Sequence, residues 1–184
     1  MALPKKLKPS TSFYALLRDQ IGNEFTASQQ YVAVAVWFDA NDLPRLAAHF
    51  YRQSLEERNH AMMMVRYLID RGEPVVVPGV GDVRNDFGDV EELIALALQQ
   101  ERDVADEIDA LMAAARADKD YHGEQFVHWF LAEQVEEIAQ MSTLLNVVRR
   151  ARGNMFDVEN FLAREQVAEE PADASAPRAA GGAL

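Results

Sequence analysis

Glu57 and His60 stand three residues apart in the stretch SLEERNHAMMM, residues 54 to 64. On a helix that spacing puts a carboxylate and an imidazole on one face, one turn apart. Their face is the apolar stripe Leu46, Phe50, Gln53, Glu57, His60, Met64, Tyr67, which should point at the core. Three other long segments carry the same anomaly. Glu24 interrupts Leu17, Ile21, Ser28, Tyr31, Ala35 and Phe38, and Glu101 interrupts Ile94, Ala97, Val104, Ile108, Leu111 and Ala115. Gln134 and Glu137 interrupt Val127, Phe130, Met141, Leu144 and Val148.

A single buried Glu reads as a hydrogen-bonded group or as one at the margin of its stripe. The same oddity in four helices, each time within about a turn of the helix midpoint, reads differently, because in an aligned bundle the polar residues must meet. Burying unpaired carboxylates costs several kcal/mol per ion, and the four stripes contain no Lys or Arg to neutralise them. A bound cation resolves the conflict. Four Glu, one Gln and one His form a mostly hard-oxygen donor set suited to iron or manganese, with two metals sharing bridging carboxylates.

The elements that position these residues are helices, read from periodicity at about residues 11 to 40, 45 to 71, 90 to 118 and 121 to 151. Ser10, Thr11 or Ser12 is expected to cap the first, Asp42 the second with Pro44 near its start, and Asp89 the third. Gly72 and Pro74 end the second. Short links join helices one to two and three to four, which makes those pairs antiparallel. Between helices two and three lies EPVVVPGVGDVRNDFGD, residues 73 to 89. Extended, it reaches up to about 56 Å, against roughly 40 Å for the second helix, so it can return along the bundle and leave helices two and three parallel. Its VVVPGV run is expected as a buried connector or short edge strand. The expected fold is all-α: a four-helix bundle with one long crossover, the ferritin-like topology, plus a short fifth helix at NMFDVENFLARE capped by Asn154. Residues 1–10 read as an extension, 11–165 as one domain, and 166–184, ending APRAAGGAL, as a flexible tail.

Composition narrows the chemistry. The chain of 184 residues contains no Cys, so thiolate metal sites, disulfides and cysteine nucleophiles are excluded. A formal charge of −12, from 18 basic and 30 acidic residues, disfavours nucleic acid and attracts cations. No apolar run reaches the length of a signal peptide or membrane span, so no membrane partner and a cytoplasmic location are expected.

Four motifs, in order, resemble the heme-free prokaryotic ferritins: NEFTASQQY around Glu24 and Tyr31, EERNHA around Glu57 and His60, QQERD around Glu101, and EQVEEI around Gln134 and Glu137. The resemblance runs from about residue 11 to 165, and Glu-x-x-His is an established ligand motif of such bundles. It implies that Glu24, Glu57 and His60 hold one iron, that Glu57 bridges to a second held by Glu101, and that Gln134 lies beside the oxygen-binding face. It further implies a transit iron position at Glu137 with Glu56, Glu133 and Glu136. For those three flanking residues a solvated or cavity-facing role stands equally open. Tyr31 matches an aromatic that supplies an electron, and it also reads as a core tyrosine bonded to a ligand carboxylate. Trp37, Trp129 and Met62 to Met64 read as packing.

The implied activity is a ferroxidase that oxidises Fe(II) to Fe(III) with oxygen or peroxide at a di-iron centre and stores a ferric mineral inside a homo-24-mer shell. No heme is expected, because Arg58 occupies the position where bacterioferritin has its axial Met, and Glu137 is followed by Gln140 in place of a second Glu-x-x-His. In DKDYHGE, residues 118 to 124, Asp118, Asp120, His122 and Glu124 read either as iron guides at a threefold channel or as a polar turn with an N-terminal cap. Competing readings are a heme-containing bacterioferritin, another di-metal carboxylate oxidase, and a non-enzymatic helical interaction module whose buried polar groups fix register.

Overall fold

A computed structural model of the chain describes residues 12–165, 173 and 175–184. Within them the chain forms five helices and no strand: α1 Ser12–Ala40, α2 Pro44–Asp70, α3 Val90–Ala117, α4 Tyr121–Ala151 and α5 Met155–Glu165. The periodicity of the sequence is reproduced in the burial, since every member of the α4 stripe is buried, Gln134 and Glu137 included. The apolar core falls into two clusters. One joins Phe38, Phe50, Ile94 and Leu144 with Val158 and Leu162 of α5. The other joins Phe13, Leu17, Met64, Ile108 and Phe130 toward the opposite end. The buried polar residues occupy the level between them.

The starts of α1 and α2 are secured from elsewhere in the chain. Asp42 does not cap α2, as the sequence led us to expect. It adopts a left-handed backbone with φ of 58°, and Leu43 precedes the helix with no side-chain cap. Glu159 of α5 does the work, accepting from the backbone N–H of Arg45 at 2.9 Å and of Leu46 at 3.0 Å. At α1 the N–H of Phe13 donates to Asp118 at 2.9 Å; Ser10 and Thr11 lie outside the described residues. Asp89 caps α3 by accepting from the N–H of Glu92. Asn154 precedes α5 and donates from its side chain to Asp157.

The crossover runs along α1 in the direction of α1's own chain. Arg18 donates to the Pro74 carbonyl, Pro78 lies over Gly22, the N–H of Gly81 donates to Thr26, and Gln30 makes a double bond pair with the backbone of Arg84. Residues 18, 22, 26 and 30 form one i, i+4 row, so the connector is read off a single helix face. It therefore returns to the starting end of α2, and α3 sets off parallel to α2. The VVVPGV run is neither buried nor a strand: Val76, Val77 and Val80 are exposed. Backbone and polar groups of the connector bond to α1 while Val76, Val77 and Val80 turn outward; Val75 is half-buried against the core.

Of the tail, residues 175–184 pack back on the bundle. The N–H of Ala180 donates to the Met62 carbonyl at 3.0 Å, Asn59 bonds both backbone groups of Leu184, and Trp129 donates to Asp173 at 2.8 Å. Residues 1–11, 166–172 and 174 lie outside the described residues.

Candidate metal centre

The seven residues that the stripes single out, Glu24, Tyr31, Glu57, His60, Glu101, Gln134 and Glu137, are all buried, with none more than 7% exposed. Each helix carries its own on the buried stripe that faces the bundle interior. Oxygen and nitrogen atoms of Glu24, Glu57 and His60 lie within 4.8 Å of one another. His60 Nδ1 is 3.3 Å from Glu57 Oε2, and its ring is held edge-on by Trp129 and Phe130. Tyr31 donates its hydroxyl to Glu101 Oε1, and Gln134 Nε2 lies 3.4 Å from Glu101 Oε2.

The side chains bonded to these carboxylates are neutral amides, a phenol and one imidazole. Burial accordingly pushes Glu24, Glu57 and Glu137 well above the usual carboxylate range, with repulsion between the carboxylates as a further cause. Glu101 rises to about 7, first through burial, against the lowering bond from Tyr31. The Tyr31 hydroxyl is driven upward by burial and by Glu101, so it stays protonated and keeps donating. Glu24 Oε2 is buried with no hydrogen-bond partner. An orphaned acceptor beside an imidazole and further carboxylates fits a cation, which neutralises the group as no solvent molecule does.

The structure separates the three flanking residues from this set. Glu56 and Glu136 are exposed and Glu133 is half-buried. They act on one another through space at the α2–α4 surface, with Glu133 raised first by burial and then by Glu136 and Glu56. Glu137 lies between this group and the interior centre, and feels Glu57, Glu101, Glu56 and Glu133. The loop residues Asp118 and Asp120 are occupied structurally: Asp120 caps α4 through the N–H of Gly123 and accepts from Tyr14, with Arg71 beside it. Glu124 pairs with Arg116.

Two participants escaped the sequence reading. Gln20 is 2% exposed and donates to Glu24 Oε1 at 3.0 Å; Gln53 is 3% exposed and donates to Glu137 Oε2 at 2.9 Å. Gln53 sat in the α2 stripe without a role, and Gln20 was absent from the α1 row. The available signal was spacing, since each precedes a stripe Glu by four residues.

Comparison with known proteins gives the family. The ferritin-like domain family matches residues 14–151. The chain belongs to the ferritin family. Iron storage is that family's general function. Among relatives of this ferritin, Ferritin BfrB of Mycobacterium tuberculosis is 57% identical over 176 residues, covering 96% of this chain and 97% of the relative. The same identity holds for a protein of another strain named Bacterioferritin BfrB. A bacterial non-heme ferritin of Staphylococcus aureus is 35% identical over 141 residues, covering 77% of this chain and 85% of the relative. Among solved structures, an open pore ferritin from Archaeoglobus fulgidus superposes with a TM-score of 0.81 at 25% identity, covering 89% of this chain and 100% of that one.

Proposed function

We propose that this ferritin is a ferroxidase as well as a storage protein, with Glu24, Glu57, His60 and Glu101 binding two Fe(II) ions as substrate and Glu57 bridging them. The observation that carries the reading is the orphaned Glu24 Oε2 in the buried layer where four raised carboxylates and one imidazole converge. Anionic oxygen ligands stabilise Fe(III) over Fe(II) and so favour oxidation. Adjacent ions let one oxygen or peroxide molecule accept an electron from each. Gln134 lies beside Glu101 at the face where the oxidant would enter, and Tyr31 fixes Glu101 while standing within electron-transfer reach. Glu137, with Glu56, Glu133 and Glu136 at the surface beyond it, is the proposed exit route for Fe(III).

Assembly into a homo-24-mer around a ferric mineral, and a cytoplasmic location, belong to the same proposal. The likeness to shell-forming ferritin structures supports the first. Among the described residues, no helix is long and apolar enough to cross a membrane.

Aerobic addition of Fe(II) tests the activity. The parent chain should oxidise it in a fast, saturable phase that Glu57→Ala and His60→Ala abolish, leaving only slow autoxidation. Equal slow rates in all three would favour a helical interaction module. A second reading, bacterioferritin, is kept by one relative's name. Against it, Arg58 follows Glu57, and Gln140 stands three residues after Glu137 where a second Glu-x-x-His would need His. A visible spectrum of purified protein should contain no Soret band; a strong one would favour the bacterioferritin reading.

A further inference from the structure

The carboxylates of the centre share a design. In Glu24 and Glu137 one oxygen is held by a neutral amide, and in Glu101 both oxygens are held, by Tyr31 and Gln134. Tyr31 serves Glu101, but the donors to the other two, Gln20 and Gln53, belong to no proposed ligand set. Gln20 is itself fixed, since Asn23 Nδ2 lies 3.4 Å from its Oε1 and leaves its amide hydrogens for Glu24. A neutral donor stabilises a carboxylate without cancelling its charge, whereas a Lys or Arg at either position would compete with the cation. The two amides also serve opposite sides of the centre. Gln20 acts on Glu24, which faces Glu57 and His60. Gln53 reaches from α2 to α4 and acts on Glu137, which stands between the centre and the surface acids.

We propose that Gln20 and Gln53 are positioning residues that set cation affinity separately at the two ends of the centre: Gln20 aims Glu24 at the ion held with Glu57 and His60, and Gln53 aims Glu137 at the ion it receives. The inference rests on the metal-centre reading above. Because each amide holds a single carboxylate oxygen, loss of one donor frees one ligand to turn away while the other end keeps its geometry. Partners of metal ligands commonly alter affinity by about 10–100-fold.

Co(II), which binds such sites without being oxidised by air, separates the two ends. The assembled protein is titrated by calorimetry and by Co(II) visible absorbance, alongside Gln20→Met and Gln53→Met, which keep side-chain length and remove the donor. Gln20→Met should weaken the tightest step about tenfold or more and change the spectrum of that first ion, with the later step intact. Gln53→Met should do the converse. Should a Met variant fail to assemble, Gln20→Leu and Gln53→Leu, which also lack the donor and add no charge, replace it and should give the same division. Asn23→Ala, which only releases Gln20, should weaken the first step by a smaller factor. Parent-like binding in both variants, or equal weakening of every step in both, overturns the inference while leaving the centre standing. A parent protein that takes up no Co(II) in the bundle overturns the metal-centre reading and the inference together.

Discussion

At the scale of residues, the centre holds an electrostatic conflict that protonation relieves, and that a bound cation would relieve in its place. Glu24, Glu57 and Glu137 titrate well above an ordinary carboxylate, and Glu101 near 7, with burial the largest cause in each. A carboxyl whose folded value exceeds its unfolded one binds protons more tightly when folded. Its stabilising share is complete below the unfolded value, 4.5, and is lost as pH climbs through the folded value. Metal-free protein in chelator should therefore melt at progressively lower temperature as pH rises from about 5 to 8. Saturating Zn(II) should flatten or reverse that slope, because the ion replaces the protons. Glu57→Gln removes one of the conflicting charges, and should raise the metal-free melting temperature at pH 8 while weakening cation binding, as measured by thermal melts with and without Zn(II). Most of this set was legible in the sequence, since a carboxylate on an apolar stripe is visible to counting. Gln20 and Gln53 were not, because a buried amide breaks a stripe less conspicuously and its partner lies on another turn or another helix.

At the scale of elements, the helices hold one another's ends. Glu159 of α5 bonds two backbone N–H groups of α2, so the short fifth helix supplies the cap that Leu43 lacks. Glu159→Ala should destabilise the protein by about 1 kcal/mol, the ordinary worth of a cap, as read by thermal or denaturant melts. Hydrogen exchange should speed up at Arg45 and Leu46, and centre-proximal amides should be unaffected. Periodicity located all five helices, but caps chosen by local sequence went astray at α2. A helix start is satisfied by any acceptor that arrives in three dimensions, and the one that arrived lies 113 residues away from Leu46. The crossover was foreseen in direction and misjudged in burial. Its direction follows from length and helix geometry. Its burial depended on the polar grips of Thr26 and Gln30 on its backbone, which spacing alone does not reveal.

At the scale of the whole molecule, the two apolar clusters clamp the four helices above and below a polar layer, which is why that layer can stay strained without scattering. The chain's charge of −12 favours attraction of cations, and in the proposed shell it would draw Fe(II) toward the surface and cavity. Outward-turned Val76, Val77 and Val80 leave apolar surface on the crossover of the single chain. A homo-24-mer of this 20.6 kDa chain should elute near half a megadalton, and elution at monomer size would contradict the shell. The centre can still be tested apart from assembly. Crystals of the metal-free protein soaked in Zn(II) should give anomalous peaks inside the bundle, one bounded by Glu24, Glu57 and His60 and a second between Glu57 and Glu101. Peaks confined to the outer surface, with the bundle interior empty at saturating Zn(II), would contradict the account.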